Sequence, residues 1–174
     1  MHRTERAASG VMGAAKAVKA TLEGVTGVFR QLMREHGEVS ALLRRVKMST
    51  DPAVREELFP VIQTQLIAHE RAELVEIYPL FKKHESLASY AEMHEREADA
   101  LERHLQRLSL LPCDDPGWAS AFDDLVDEVA RHVHEEENEY FPVASRKLGR
   151  KVTEAMTVRY DAKRNAVLRE LGSG

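Results

Sequence analysis

His132-Val-His-Glu-Glu-Glu-Asn-Glu-Tyr-Phe-Pro142 gathers imidazole, four carboxylates and two aromatic rings into one segment that closes on proline. An earlier segment, His69-Glu-Arg-Ala-Glu-Leu-Val-Glu-Ile-Tyr-Pro79, follows the same plan. With the prolines aligned, His69 falls on His132, Glu73 on Glu136, Glu76 on Glu139 and Tyr78 on Phe141. His-x-x-x-Glu therefore occurs twice at one distance from an aromatic-Pro pair. Residues four apart share a helix face, so each segment presents an imidazole and a carboxylate together. A hydrophobic core has no use for such pairs, whereas a pair of metal ions does.

Apolar residues around these segments recur by fours and threes, the pattern of helices packed along one another. Val11, Ala15, Val18, Leu22, Val25, Phe29, Leu32, His36, Val39, Leu43 and Val46 form a first stripe, weakened at Gly24 and Gly27. A break there would set off an N-terminal helix. Asp51 and Pro52 read as the cap and first position of a second helix, with Leu58, Ile62, Leu66, His69, Glu73, Ile77 and Leu80 on one face. Pro60 cannot donate a helical hydrogen bond, so it is expected to mark the effective start of that helix. Ser86 can cap a third helix carrying Leu87, Ala91, His94, Ala98, Leu101, Leu105 and Leu108. After the Pro112–Gly117 loop, Trp118, Phe122, Leu125, Val129, His132, Glu136, Tyr140 and Val143 line a fourth. Lys147-Leu-Gly149 is a helix stop, and Thr153 can cap a final helix to about Leu171. No segment alternates like a strand. The expected fold is all-α: an antiparallel up-down-up-down four-helix bundle over residues 28–148, an N-terminal helical extension over 1–27, and a C-terminal helix and tail over 149–174.

Composition narrows the function classes. The 174 residues include 31% charged and 43% hydrophobic side chains, as in an ordinary globular domain. The formal net charge of −4 argues against nucleic acid as a partner. Lys16 and Lys19 interrupt the only candidate apolar run, so no membrane span is expected. The single cysteine, Cys113, cannot close an internal disulfide, and the cytoplasm is the expected compartment. A homo-oligomer is left open.

Each main helix carries one histidine in its buried stripe: His36, His69, His94 and His132. At a rise of about 1.5 Å per residue, His94 and His132 lie at one depth, roughly 23 Å from the turn joining their helices. Glu73 shares that depth, and His69 comes level with His36 if the second helix begins near Pro60. Two buried carboxylates without a cation would cost several kcal/mol, so this layer points to bound metal. Imidazole with carboxylate suits iron, manganese or zinc. Glutamates from facing helices can each bridge two ions, and iron is the expected metal because it can use such bridges for oxygen chemistry.

The chain resembles the hemerythrin-like proteins with an HHE cation-binding domain over about residues 30–148. The resemblance rests on Glu35-His36, on His69-x-x-x-Glu73 with Tyr78-Pro79, on His94-Glu95, and on His132-x-x-x-Glu136 with Phe141-Pro142. It implies two iron ions in a carboxylate-bridged centre open to an oxo bridge. His36 and His69 would serve one ion, His94 and His132 the other, with Glu73 and Glu136 bridging. Glu70 matches a position that adds a carboxylate ligand in some relatives. The chain departs from the oxygen-carrying members in two ways. Ala98 stands where they have a second histidine on the third helix, and Glu136 and Glu137 stand at four and five residues after His132, where they have an aspartate at five. Glu70, Glu97 or solvent could fill the Ala98 gap.

The resemblance implies a protein that engages O2 or related small ligands in sensing, storage or iron homeostasis. The alternative is a di-iron enzyme acting on peroxide or nitric oxide. Tyr140, one turn beyond Glu136, is expected to pack or to reach a bound ligand. Glu76 and Glu139 are expected to orient imidazoles or to be surface charge, and Pro79 and Pro142 to kink their helices. His2, His84, His104 and His134 are expected at the surface.

Overall fold

The computed structural model describes residues 3–22 and 24–172, and all of their regular structure is helical. Helix α1 spans Arg3–Leu22, α2 Val28–Lys47, α3 Pro52–Glu76, α4 Tyr78–Phe81, α5 Glu85–Ser109 and α6 Pro116–Glu135. A π-helical turn, Glu136–Tyr140, joins α6 to α7 (Phe141–Leu148), and α8 spans Arg150–Gly172. His2 lies outside the described residues.

Local chemistry sets most of these boundaries. Asp51 caps α3 by accepting from the Ala53 amide at 3.0 Å, with Pro52 in the first turn. Asp115 caps α6 in the same way, accepting from Gly117 N at 2.7 Å. Gly149, at φ 77°, separates α7 from α8. Three expected boundaries shift. α3 runs unbroken through Pro60, which is exposed, so the carbonyl that loses its partner there can be hydrated. α5 begins at Glu85 with no side-chain cap, so Ser86 is inside it. α8 begins at Arg150, and Thr153 lies in its first turn, bonding back to Arg150 O at 3.0 Å.

α2 packs on α3 and α6, and α5 packs on the same two, which closes a ring of four helices. α8 lies along α3 and reaches α2, while α1 lies against α2. The α1 face differs from expectation: Val11 and Val18 are 69% and 61% exposed, whereas Gly13 and Ala20 are buried. The reason is a close crossing. A Cβ on Gly37 would stand 2.6 Å from Met12 O, and one on Gly13 would stand 2.8 Å from Arg34 O. Only the small-residue side of α1 can come so near. Gly27 is a second tight point, at φ 56° and directly beneath the Thr153 backbone.

The core is divided. One apolar cluster gathers Val39, Leu43, Leu58, Phe59, Leu105, Trp118 and Phe122, with Trp118 stacked on Phe122 at 4.9 Å. The other gathers Phe29, Leu32, Tyr78, Phe81, Phe141, Met156 and Tyr160, with Phe29 stacked on Phe141 at 5.1 Å. A buried polar layer of histidines and glutamates supplies neither cluster.

Candidate metal centre

Helices α2, α3, α5 and α6 each deliver one buried histidine to this layer: His36, His69, His94 and His132. α3 adds Glu70 and Glu73, and the π turn adds Glu136. On one side, the Nε2 atoms of His36 and His69 are 3.2 Å apart. His36 Nε2 lies 3.2 Å from Glu136 Oε2, and His69 Nε2 lies 3.4 Å from Glu73 Oε2. On the other side, Glu70 stands between two rings, 3.4 Å from His94 Nε2 and 3.4 Å from His132 Nε2. Glu136 Oε2 is also 3.4 Å from His132 Nε2, and Glu73 Oε2 is 3.9 Å from His94 Nε2. Glu73 and Glu136 therefore touch both histidine pairs, while Glu70 serves one.

A second set of carboxylates stands behind the rings. His36 Nδ1 meets Glu137 at 3.0 Å, His69 Nδ1 meets Glu35 at 3.0 Å, and His132 Nδ1 meets Glu97 at 3.4 Å. Such partners fix a ring's tautomer and turn its other nitrogen inward, as behind metal-ligating histidines. The π turn makes one of these contacts. Its wider register brings Glu136 and Glu137, adjacent in sequence, both into the interior. His94 has no carboxylate within hydrogen-bond reach of Nδ1; its ring is stacked on Tyr78 at 3.7 Å. Phe141 stacks likewise on His36, at 5.9 Å. The aromatic residue closing each repeat thus covers one of the two histidines that lie outside the repeat.

The outer carboxylates are held in turn by elements beyond the four-helix ring. Glu137 takes an ion pair from Lys16 of α1. Glu35 accepts from the Tyr160 hydroxyl of α8 at 2.8 Å and faces Arg164 Nε at 3.1 Å. Glu97 is paired with Arg131 of α6 at 2.6 Å.

Among the described residues, seven buried atoms of this layer lack a hydrogen-bond partner: Glu70 Oε2, both Glu73 oxygens, both His94 nitrogens, His132 Nε2 and Glu136 Oε2. Orphaned polar atoms at such density are costly. Bound cations would satisfy them, save one nitrogen of His94, because imidazole nitrogen and carboxylate oxygen are metal donors. Charge in the layer follows suit. Burial pushes the Glu73 carboxyl up, and Glu136 and Glu70 drive it well above the usual range. Burial also works against Glu70, but His132 outweighs it and holds that carboxyl at about 2. Burial opposes the charged form of His132, yet Glu136 and Glu70 raise it well above the ordinary imidazole value. His36 is raised by Glu136 and Glu137 in the same way, whereas burial lowers His94. Without a cation, protons on His36 and His132 offset part of the carboxylate charge of this layer.

All seven expected ligand residues, His36, His69, Glu70, Glu73, His94, His132 and Glu136, come together in this layer. They fall into two sets, in each of which one donor atom per residue lies within 4.8 Å of the others: Glu70, Glu73, His94 and His132, and His36, His69 and Glu136. Ala98 is buried, and among the candidates to fill its place Glu70 stands inside the layer and Glu97 behind His132. Tyr140 points away, stacked on Tyr90 at 4.1 Å; Tyr78 instead donates to Glu136 Oε1 at 2.5 Å. Glu76 pairs with Arg159 at 3.1 Å and Glu139 is exposed, so neither orients an imidazole. His84 and His134 are exposed as expected, but His104 is half-buried, held by Glu128 and the Ala121 carbonyl, each at 2.9 Å. Sequence reading missed Tyr160, Arg164 and Lys16. α8 is rich in charged side chains throughout, so nothing local marks Tyr160 and Arg164, and Lys16 sits in an Ala-rich helix.

A helical bundle whose core is crossed by inward-turned histidines and glutamates is a cation-binding bundle. The chain belongs to the family described as Hemerythrin HHE cation binding domain, which it matches over residues 21–144. It is also similar to a DNA nickase of Nostoc sp. (strain PCC 7120 / SAG 25.82 / UTEX 2576), 25% identical over 138 residues. That alignment covers 79% of this chain and 39% of the relative. No solved structure matches.

Proposed function

We propose that the chain holds two iron ions and uses them to engage O2 or a related small ligand, in oxygen or redox sensing, storage or iron homeostasis. His36 and His69 would hold one ion, His94, His132 and Glu70 the other, with Glu73 and Glu136 shared. The observation that carries this reading is the set of unpartnered donor atoms facing one another in the buried layer. The absence of thiolate among them favours iron over softer ions. When bound, two such ions supply Lewis acidity and one-electron steps to a small ligand. The chain's own part is to hold the donors in register: Glu35, Glu137 and Glu97 fix three rings, and Tyr78 fixes Glu136. The same reading takes α2, α3, α5 and α6 as an antiparallel up-down-up-down bundle, with the helices over 1–27 and 149–174 as additions. It also takes the cytosol as the compartment, on the strength of one cysteine.

Metal analysis of aerobically purified or iron-reconstituted protein tests this, together with an optical spectrum followed through reduction and re-aeration. Two irons per chain and bands that bleach and return reversibly are expected. Fewer than one tightly held iron would sink the proposal. His132→Ala should cut iron content sharply while His134→Ala should not.

A second reading is a di-iron enzyme acting on peroxide or nitric oxide. Ala98 and the carboxylate-rich donor set favour it, because an ion with fewer nitrogen ligands leaves room for exchange. Peroxide turnover above free iron, lost in Glu73→Ala, is its signature. Nicking of DNA is not carried over to this chain, whose net charge of −4 is unfavourable to a polyanion.

A further inference from the structure

A cavity of about 360 Å³ adjoins the layer, floored by His36, His69, Glu70 and His132. Its walls include Val39, Leu66, Leu101 and Val129, packed around the same four helices. We propose that this cavity binds an uncharged, predominantly apolar organic molecule, placed directly against the metal ligands.

Volume makes the first case. A diatomic ligand needs about what one water occupies, roughly 30 Å³ of liquid, and an apolar cavity of about 150 Å³ already accommodates benzene. The space here exceeds both and falls within the range of small-molecule pockets. The apolar part of its wall gives water little to bond, so an apolar guest displaces poorly held water there.

Charge at the mouth makes the second. Among the described residues there, Arg164 faces Glu35 at 3.1 Å and is bonded to Gln65, and Glu38 is paired with Arg34 at 2.7 Å. These charges are already matched, so an ionic guest gains no open partner at the mouth and loses hydration in passing it. Position makes the third. Gly10 and Arg164, which help form the mouth, lie outside the family-matched segment 21–144. The helices added to the bundle frame this opening. Two of its lining residues thus come from α1 and α8, beyond the matched segment, and the rest from the bundle itself.

The proposal goes beyond the metal reading and can fail separately from it. N-phenyl-1-naphthylamine, an uncharged fluorescent probe, is titrated into the full chain with and without metal. Saturable one-to-one binding is expected, weakened about tenfold or more by Val129→Phe or Val39→Phe, which fill the wall. Metal content and helical circular dichroism are measured on the same samples. In wild-type protein loaded with Mn(II), the probe's ring protons should relax faster than in Zn(II)-loaded protein, which reports closeness to the metal without any substitution. No saturable binding overturns the proposal. So does binding unaltered in whichever wall variant folds, or relaxation equal with both metals. Low metal content with intact probe binding would sink the metal reading instead.

Discussion

The Tyr160 hydroxyl donates to Glu35 Oε2 at 2.8 Å, and the same oxygen stands 3.0 Å from His69 Nδ1. A residue of the last helix therefore governs the orientation of a ring on α3 through a carboxylate on α2. Burial works to raise Glu35, but His69 and Arg164 outweigh it and hold its carboxyl at about 2, so it stays an acceptor for both neighbours. Tyr160→Phe keeps the buried ring and removes one hydrogen bond. It should lower metal affinity roughly tenfold, the lower end for partners of ligating histidines, with helical content unchanged. Competition against a chromophoric chelator measures this, and an unchanged affinity would mean that Glu35 is held well enough without the hydroxyl.

Metal removal should destabilise the fold. A cation bound only by the folded chain at about 1,000 times its Kd adds about 4 kcal/mol, or roughly 8–16 °C in Tm for a chain of this length. Calorimetry before and after chelation, with removal verified by metal analysis, gives the comparison. Coincident melting curves would contradict a cation-organised core.

Metal loading should release protons. His36 and His132 titrate above the ordinary imidazole value and Glu73 well above the carboxylate range, so near pH 7 the metal-free layer holds protons that a cation must displace. As pH rises through those raised values, fewer protons remain to be displaced and apparent affinity should increase. Titration calorimetry in buffers of different ionisation enthalpy reads the number directly. A heat independent of buffer would count against this charge balance.

The α1–α2 crossing gives a fourth test. Helix propensity alone would favour Gly37→Ala by about 1 kcal/mol, yet its Cβ would meet Met12 O at 2.6 Å. The substitution should loosen α1, raising hydrogen exchange over residues 10–20 and releasing Lys16 from Glu137. Gly10→Ala, which meets nothing within 4 Å, should stabilise instead. Equal protection of α1 in the two variants would mean that the crossing is less tight than it stands.

The stripes on α2, α3, α5 and α6 were legible because each is a local period, and a histidine replacing an apolar residue within a period is conspicuous. His36 and His94 emerged that way. The α1 face was not legible, because Val11 and Val18 fit the period while backbone approach at Gly13 and Gly37 decides the packing. The π turn was hidden for a related reason: Glu136-Glu-Asn-Glu-Tyr140 suits an α-helix as well. Only the need to bury two successive carboxylates distinguishes the two. Tyr160 and Lys16 act across more than a hundred residues, on Glu35 and Glu137, and no spacing rule reaches that far.

Residues 150–172 leave the ribosome after every histidine of the layer. Until α8 docks, Glu35 lacks the Tyr160 hydroxyl and the Arg164 guanidinium and keeps only Gln31 and His69 as partners. The half served by His69 is therefore finished only when Tyr160, 125 residues after Glu35, has been made and docked, while the half backed by Glu97 and Arg131 can be complete once α6 and the π turn are packed. Biosynthesis sets an order on the two halves that the finished structure does not display.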